Sequence, residues 1–438
     1  MISAPLLDTR FRLTEDVALD LAKSYGTPLY VVDEGHFRGR IREYLTAFRA
    51  AYERSEISFA SKANSTLALV KIAYQEGCSI DVASEGEFRV ALAAGVPGEH
   101  CHLHGNNKQI GEIQFALEHG IGIVVADNFE EIETLARIMT AEQRGTKIVI
   151  RLAPGVDPVT HAKISTGQAD TKFGFNITDG AAEHAARRCL QLGLNLYGFH
   201  CHVGSQLLDP EAQRSGGELI AAFAVGIKEK LGYSAQYLNL GGGLGVTYVT
   251  GDQPMGMADY CRLVVQSVLS ALEGSGIDPV LGQEPGRSLV GESGVTLYRV
   301  GVLKTVPSKA LGYRTYVAVD GGLSDNPRPV MYGSKYTVER VSPPSPESPQ
   351  TKTFTVSGKH CETDKLFEEI PLPEDLKAGD LIQVLCTGAY NSSMASTYNR
   401  YPRPATVLLR EDGSHTLIQR RDSWEEMLAR EILPADLK

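Results

Sequence analysis

The sequence predicts an α/β protein in which a (β/α)8, TIM-like barrel is followed by a second, all-β domain of barrel or sandwich type. The first observation is a regular alternation of strand-like and helix-like segments between Ile57 and Gln283. Such alternation requires a parallel sheet, because right-handed crossovers place the helices on the outside. Eight units over about 230 residues match a closed barrel better than an open doubly wound sheet. The second observation is that the alternation stops after Arg287.

The barrel strands are predicted from short apolar runs, and helix-like stretches separate them. The strand candidates are residues 57–60, 79–82, 101–104, 121–126, 147–152, 196–202, 237–240 and 279–283. The helix candidates are residues 84–94, 108–118, 129–140, 180–192, 217–230 and 257–272. A strand at 28–32 and a helix at 34–53 precede them.

The second domain is predicted from strand-like runs that have no regular helices between them. These runs are residues 295–302, 313–319, 351–356, 381–386, 404–409 and 415–419. Residues 342–349, rich in proline and serine, are expected to form a loop in this domain, and the early strand at 28–32 is expected to join it. The predicted domains are a barrel at 35–290 and a β domain made of 1–34 and 291–438.

The composition is that of an ordinary globular protein, with 42% hydrophobic and 22% charged residues. The formal net charge of -10 argues against binding to a nucleic-acid backbone. Seven cysteines without C-x-x-C spacing argue against a disulfide framework or a structural zinc site and indicate a reducing compartment. Residues 1–14 lack the apolar core of a signal peptide, and no stretch approaches a membrane span. We therefore expect a cytoplasmic protein that binds neither nucleic acid nor membrane.

Lys62 lies where a predicted strand ends and a turn begins, within the sequence SFASKAN at 58–64. A lysine among small residues at such a position has little route to bulk water, and a desolvated amine loses basicity. The neutral amine is the form that condenses with a carbonyl group. Taken alone, this stretch favours a surface lysine in a strand-to-helix turn. The polar residues at the other strand ends favour a functional lysine instead.

In a barrel of this kind, function lies on the loops that follow the strands. The glycines at 241–243 allow a backbone to approach an anion closely, although they also fit a flexible turn. Arg287 either adds charge to the same anion or forms a surface ion pair. Glu284 is either a core carboxylate paired with an arginine or a partner for a protonated ring nitrogen. His202 is either a core histidine or a flat ring that stacks on another flat ring.

These strand ends together indicate one cofactor. A lysine for an imine, a carboxylate for a pyridinium, an anion cradle and a stacking ring match pyridoxal 5'-phosphate, whose ring acts as an electron sink. The paired histidines at 200 and 202 also suggest a metal, but no carboxylate is spaced nearby to complete a site, so no metal is expected. In the second domain, Arg328 and Tyr332 fit a helical surface pair as well as a binding site, and Cys361 fits a buried small residue.

Several ordered motifs carry a family resemblance over nearly the whole chain. In the barrel they are FASKAN (59–64), RLAPGVD (151–157), ISTG (164–167), KFG (172–174), HCHVGSQ (200–206), LGGGLG (240–245) and EPGR (284–287). In the second domain they are DGG (320–322), GKHCE (358–362), GAY (388–390) and NRYPRP (399–404). On these motifs the chain resembles the fold-type III pyridoxal-phosphate decarboxylases, and within them the diaminopimelate decarboxylase family.

The resemblance implies a role for each candidate residue. Those that act on the cofactor ring or the reacting carbon would be Lys62 as covalent anchor, His202 as stacking ring, Glu284 at the ring nitrogen and Cys361 as proton donor. Those that bind the cofactor phosphate would be Ser205, Gly242, Gly243, Gly286, Arg287 and Tyr390. Those that hold the distal end of the substrate would be Arg287, Arg328, Tyr332, Glu362 and Tyr390. Because Cys361 and Glu362 reach into the neighbouring subunit's site in this family, the resemblance also implies a homodimer with shared active sites.

The implied reaction is decarboxylation of meso-2,6-diaminopimelate to L-lysine and CO2, the last step of lysine biosynthesis. One departure concerns the substrate: the family continues Cys-Glu-Ser-Gly-Asp, whereas this chain has Thr363, Asp364 and Lys365 after Glu362. Two alternatives stay open at this point. One is a related decarboxylase acting on ornithine, lysine or arginine, and the other is a homologue that binds the cofactor without catalysis.

Overall fold

A computed structural model describes residues 9–155, 170–310, 312–342, 350–363 and 365–437. Residues 343–349 of the predicted loop at 342–349 lie outside the described residues, as do the motif at 164–167 and the last two residues of the motif at 151–157. The chain divides into two compact units. The barrel unit comprises Arg38–Val246 and Asp252–Leu289, and the sheet unit comprises Met1–Phe37, Thr247–Gly251 and Val290–Lys438. The domain limits predicted from the sequence, 35–290 for the barrel and 1–34 with 291–438 for the β domain, stay a prediction.

The strands and helices are numbered here in chain order. The strands are β1 (Leu29–Asp33), β2 (Ser55–Ala60), β3 (Ser79–Val82), β4 (Cys101–Leu103), β5 (Ile123–Ala126), β6 (Lys147–Ala153), β7 (Phe175–Asn176), β8 (Leu196–Cys201), β9 (Tyr237–Asn239), β10 (Val280–Gln283), β11 (Gly294–Ser308), β12 (Gly312–Val319), β13 (Val338–Arg340), β14 (Thr351–Ser357), β15 (Phe367–Pro373), β16 (Leu381–Val384), β17 (Ala405–Leu409) and β18 (His415–Gln419). The helices are α1 (Glu15–Tyr25), α2 (Glu34–Ala51), α3 (Leu67–Gln75), α4 (Glu85–Ala93), α5 (Ile110–Glu118), α6 (Phe129–Ile138), α7 (Ala181–Gln191), α8 (Glu211–Leu231), α9 (Met257–Leu272), α10 (Arg287–Val290), α11 (Arg328–Tyr332) and α12 (Trp424–Leu428).

The barrel unit contains a closed parallel sheet. Its strand order is β5-β4-β3-β2-β10-β9-β8-β6, and pairing of β5 with β6 closes the ring. The short β7 pairs only with β6 and stands outside the ring. Each pairing in the ring is parallel, so the carboxyl ends of all its strands lie at one rim. The predicted (β/α)8 barrel is therefore confirmed.

Helix α8 begins earlier than the sequence predicted, at Glu211 instead of residue 217. The Asp209 side chain accepts a hydrogen bond from the Glu211 backbone N–H at 3.0 Å, which supports the earlier start. Gly217, where the predicted helix begins, lies inside the observed helix. A Cβ at Gly217 would lie 2.2 Å from Ser267 Oγ on α9, so the glycine allows the two helices to pack closely.

The sheet unit is built on the order β15-β14-β12-β11-β1-β17-β18, and β16 pairs with both β11 and β13. Val31 on β1 lies opposite Val295 on antiparallel β11 and opposite Val407 on parallel β17. These contacts confirm that the early strand joins the second, mostly β region.

The sequence missed α1, β13, β15 and α12 in this unit. In α1 the buried residues Ala18, Leu21 and Ala22 have helical spacing, a signal that was present in the sequence. In β15 two prolines, Pro371 and Pro373, argue against a strand. They are tolerated because β15 stands at the end of the sheet order, where a missing backbone N–H breaks no ladder.

Within the described part of the chain, no helix combines the length and the apolar character needed to cross a membrane.

A buried ion pair supports the rim of the barrel unit. Lys108 Nζ lies 2.6 Å from Glu131 Oε1 and donates to the carbonyl oxygens of Gly105 and Val125 at 2.8 and 2.7 Å. Side-chain exposure is 1% for Lys108 and 3% for Glu131. Removing one partner of such a pair leaves a buried charge without its counter-ion.

We predict that Glu131→Gln lowers the free energy of unfolding by about 3–5 kcal/mol, because the Lys108 ammonium stays buried without a carboxylate. Urea unfolding followed by circular dichroism measures the change. Arg187→Ala is the control, since its pair with Glu183 leaves the Arg187 side chain 47% exposed and should cost less than about 1 kcal/mol. Equal losses in the two variants would contradict the prediction.

Candidate active site

Lys62 lies directly after β2, in a turn of 3-10 helix formed by Ser61–Ala63. The turn is attached to the neighbouring strand, because Ser61 Oγ donates to the Asp81 carbonyl oxygen at 2.8 Å. Lys62 Nζ lies 3.5 Å from Asp81 Oδ2, and the lysine side chain is 43% exposed. The expectation of a desolvated lysine is therefore wrong for this structure: much of the side chain is exposed, and the buried carboxylate of Asp81 lies beside its amine.

Glu284 follows β10, the strand that pairs with β2 in the ring. The backbone joins the two strand ends, since the Ala60 N–H donates to the Pro285 carbonyl oxygen at 3.1 Å. Both Lys62 and Glu284 thus occupy loops at the carboxyl-end rim of the barrel unit, on adjacent strands. This is the rim at which barrels of this kind carry their chemistry.

The Glu284 carboxylate is buried, with 4% of its side chain exposed, and polar side chains surround it. Oε1 accepts a hydrogen bond from Asn239 Nδ2 at 2.7 Å and lies 3.0 Å from His104 Nε2. Oε2 lies 3.0 Å from His200 Nε2. Burial alone would raise the pKa of Glu284, but His104 and His200 hold that pKa well below its usual value. The group is therefore an ionised acceptor.

Sequence reasoning missed these three supporting residues and paired Glu284 with an arginine or a ring nitrogen. The sequence held a signal for His200, because residues two apart on a strand share a face and His202 was a candidate site residue. Burial lowers the pKa of His200 to about 4, so its imidazole is neutral near pH 7 and donates its Nε2–H to Glu284.

The cluster also corrects one step of the argument about metals. A carboxylate does lie beside His200, one of the two paired histidines, since the ligand atoms of His104, His200 and Glu284 all fall within 4.8 Å of one another. Asn239 joins the same carboxylate through a hydrogen bond. The expectation that no metal binds here stays a prediction.

His202 is half-buried just after β8. Its Nδ1 accepts a hydrogen bond from the Gly242 backbone N–H at 3.2 Å. Burial, with the nearby charges of Lys62 and Arg151, lowers the pKa of His202 well below its usual value. The result is a neutral, flat ring attached to the glycine-rich loop, which suits stacking better than proton transfer.

Five of the six predicted phosphate-binding residues, Ser205, Gly242, Gly243, Gly286 and Arg287, lie in the barrel unit, whereas Tyr390 belongs to the sheet unit. Arg287 Nε and Nη2 donate to Ser205 Oγ at 3.2 and 3.0 Å. Gly243 accepts a hydrogen bond from the Leu207 N–H at 2.9 Å and has a φ of +145°, a conformation that L side chains rarely adopt. A Cβ at Gly286 would lie 3.0 Å from the Cβ atoms of Ala60 and Ala63. A hydroxyl, a guanidinium and glycine backbone thus form one polar patch beside the Lys62 turn.

The donor set fits pyridoxal phosphate. An ionised carboxylate has about four acceptor positions, and the three neighbours of Glu284 take at most three of them, which leaves capacity for a ring N–H. The exposed amine of Lys62 suits an aldehyde, and the patch around Ser205 and Arg287 suits a phosphate.

The sheet unit gathers a second set of predicted residues. Arg328 begins α11 and is buried, with 5% of its surface exposed. Its Cζ lies 5.1 Å from the ring centroid of Tyr332 and 5.4 Å from that of Tyr390. Tyr390 has a φ of 60°, an uncommon conformation for a non-glycine residue that marks a constrained position. The structure therefore brings Arg328, Tyr332 and Tyr390 into one cluster.

Cys361 and Glu362 are exposed in the sheet unit. All seven cysteines lie in the described residues, and only Cys361 is exposed. The interpretation of Cys361 as a small buried residue is therefore wrong. Cys361 N–H donates to Asn399 Oδ1 at 3.1 Å, and Glu362 Oε1 accepts a hydrogen bond from the Tyr398 hydroxyl.

Residues 38–291 match the family model for the pyridoxal-binding domain of pyridoxal-dependent decarboxylases. A diaminopimelate decarboxylase of Bacillus subtilis is 42% identical over 414 residues, which cover 94% of this chain and 92% of that protein. One of Staphylococcus aureus is 39% identical over 404 residues, covering 92% of this chain and 93% of that protein.

Solved structures give the same result. Diaminopimelate decarboxylase of M. jannaschii, in complex with L-lysine, matches with a TM-score of 0.87 and 31% identity over 96% of this chain and 95% of that one. A lysine/ornithine decarboxylase of Vibrio vulnificus, 22% identical with a TM-score of 0.75 over 91% of this chain and 99% of that one, supports the fold alone. The chain therefore belongs to the diaminopimelate decarboxylase family of pyridoxal-dependent decarboxylases.

Proposed function

We propose that the protein catalyses the pyridoxal-phosphate-dependent decarboxylation of meso-2,6-diaminopimelate to L-lysine and CO2. The observation that carries this proposal is the placement of Lys62 and Glu284 on adjacent strand ends of the barrel unit. An amine for an aldehyde and an ionised carboxylate for a ring nitrogen are the two groups that this cofactor requires. The 42% identity to a diaminopimelate decarboxylase over 94% of the chain supports the substrate.

The residues of the barrel unit would hold the cofactor. When bound, pyridoxal phosphate supplies a ring that takes up the electrons of the bond to the departing carboxylate. Lys62 would anchor its aldehyde carbon, Glu284 would hold a proton at its pyridine nitrogen, and the neutral ring of His202 would stack on it. Ser205, Gly242, Gly243, Gly286 and Arg287 would bind its phosphate, and Tyr390 is assigned to the phosphate as well.

The distal end of the substrate is a complete amino-acid head group, with a carboxylate and an ammonium. Positively charged residues would bind the carboxylate, and a negatively charged residue would bind the ammonium. Arg287, Arg328 and Tyr332 bind its carboxylate, and Glu362 receives its ammonium. Cys361 gives a proton to the substrate α-carbon after CO2 leaves. L-Lysine keeps this head group unchanged, and the relative from M. jannaschii was solved with L-lysine bound.

We further propose that the protein is a cytoplasmic homodimer in which Cys361 and Glu362 of the partner subunit complete each active site. The exposure of Cys361, while the six other cysteines are buried, supports a role outside the core of its own unit.

Purified protein supplied with pyridoxal phosphate should release CO2 from meso-diaminopimelate with a kcat/KM at least about 100-fold above that for ornithine, lysine or arginine. None of these three has a distal carboxylate for Arg328, and a buried group left unpaired costs this much or more. Release from ornithine but not from diaminopimelate would reject the substrate. Cofactor absorbance without release from any of the four would favour a non-catalytic binding protein.

Borohydride reduction of the cofactor-loaded protein should fix the cofactor to the peptide that contains Lys62, as read by mass spectrometry after digestion. Lys62→Ala should lose the label and the release of CO2, because no other group anchors the aldehyde. Lys71→Ala is the matched control, since Lys71 lies on α3 within the same unit. A label on any other lysine of the wild type contradicts the assignment.

Shared active sites predict complementation between inactive variants. Lys62→Ala and Cys361→Ala homodimers, mixed and allowed to exchange subunits, should recover about a quarter of wild-type activity, because half of the dimers then carry one intact site. Recovery is measured as CO2 release over time. Mixing Lys62→Ala with Glu284→Gln is the control, since both changes fall in the barrel unit. Recovery in the control alone, or in neither mixture, rejects sites shared across the dimer.

A further inference from the structure

The motif at 399–404 has no role in the proposed mechanism, yet the structure places it against the Cys361–Glu362 pair. The Tyr398 hydroxyl, just before the motif, donates a hydrogen bond to Glu362 Oε1. The next residue, Asn399, accepts a hydrogen bond from the Cys361 N–H at 3.1 Å. Two consecutive side chains thus contact the two consecutive residues that the proposed function assigns to substrate.

The segment that carries Tyr398 is held in an unusual conformation. Asn399 and Arg400 have φ values of 53° and 60°, which non-glycine residues adopt only when their surroundings impose it. Two arginines of the segment, Arg400 and Arg403, attach it to acidic side chains elsewhere in the sheet unit. Arg400 Nη2 donates to Glu431 at 2.7 Å, and Arg403 forms two bonds to Asp422, at 2.7 and 3.0 Å.

The Tyr398 ring is supported on one face. The His360 ring stacks on it with a centroid separation of 5.8 Å and an interplanar angle of 11°. His360 is itself only 7% exposed, and a Cβ at Gly322 would lie 2.3 Å from its Nδ1, so little space remains around it. Tyr398 is 40% exposed, and the His360 ring supports one face of the ring whose hydroxyl reaches the long, exposed side chain of Glu362.

We propose that Tyr398 is a positioning residue that determines specificity, because its hydroxyl holds the Glu362 carboxylate ready for the distal ammonium of the substrate. This inference rests on the proposed role of Glu362. An ionised carboxylate accepts several hydrogen bonds, so the one from Tyr398 leaves acceptor positions for an ammonium. Holding a flexible side chain in its bound geometry before the ligand arrives strengthens binding, since less freedom is lost on association.

Tyr398→Phe tests the proposal, because it removes the hydroxyl and keeps the stacked ring. We expect the KM for meso-diaminopimelate and the Kd for L-lysine to rise about tenfold, the effect of one hydrogen bond to a charged group. The kcat should stay within about twofold, since the lost contact acts on binding and not on the reacting carbon. Kinetics of CO2 release give KM and kcat, and isothermal titration calorimetry of the holoenzyme gives Kd.

A double-mutant cycle separates positioning from general damage. In a Glu362→Gln background, Tyr398→Phe should weaken L-lysine binding by less than about twofold, because the charged acceptor is already gone. Tyr401→Phe is the matched control: it removes a hydroxyl that, within the described residues, donates to the backbone carbonyl of Lys359 at 3.4 Å, and it should leave Kd unchanged.

An unchanged Kd in Tyr398→Phe, or equal weakening in the two backgrounds, overturns the inference. A wild type that binds L-lysine but releases no CO2 from diaminopimelate rejects the proposed reaction, and the Kd values still decide the role of Tyr398. A wild type that neither binds L-lysine nor releases CO2 rejects both.

Discussion

A buried carboxylate constrains the whole barrel unit. Glu284 is ionised at 4% exposure, and a charge in such a place is stable only when donors surround it. Those donors come from three other positions in the ring: His104 directly after β4, His200 on β8 and Asn239 on β9. Only a closed sheet brings these strands around one point, so the pairing of β5 with β6 is a condition for the chemistry as much as for the fold.

The two units carry different sets of polar groups. The barrel unit carries groups suited to a flat, anionic cofactor: an amine, an ionised carboxylate, a neutral imidazole and a polar patch with a guanidinium. The sheet unit carries the groups suited to the head of an amino acid, an arginine between two phenol rings and an exposed glutamate. In each unit the residues are held by contacts within that unit, so each set is organised locally.

The sequence predicted the parts of the fold whose physical signal is local. Parallel strands buried on both faces read as continuous apolar runs, and for this reason every strand of the ring was found. Where a strand is exposed or interrupted, that signal is lost: β15 contains two prolines, and β11 continues to Ser308 well beyond its apolar part. The family motifs indicated Lys62, Glu284 and Arg328, whereas the partners of Glu284 come from strands far apart in the chain. Such proximity, like the exposure of the Lys62 amine, depends on three-dimensional packing that no single segment reports.

The loop after Glu362 departs from the family pattern, and the two residues just before the departure, Cys361 and Glu362, are held from elsewhere in the sheet unit by Asn399 and Tyr398. Gly242 limits how far this barrel can be redesigned. A Cβ there would stand 2.3 Å from the Glu284 carbonyl oxygen, and the Glu284 N–H donates to the Gly241 carbonyl oxygen at 2.9 Å. Mutant libraries that vary the glycine-rich turn must therefore leave position 242 without a side chain, or the backbone that carries the buried Glu284 carboxylate shifts with it.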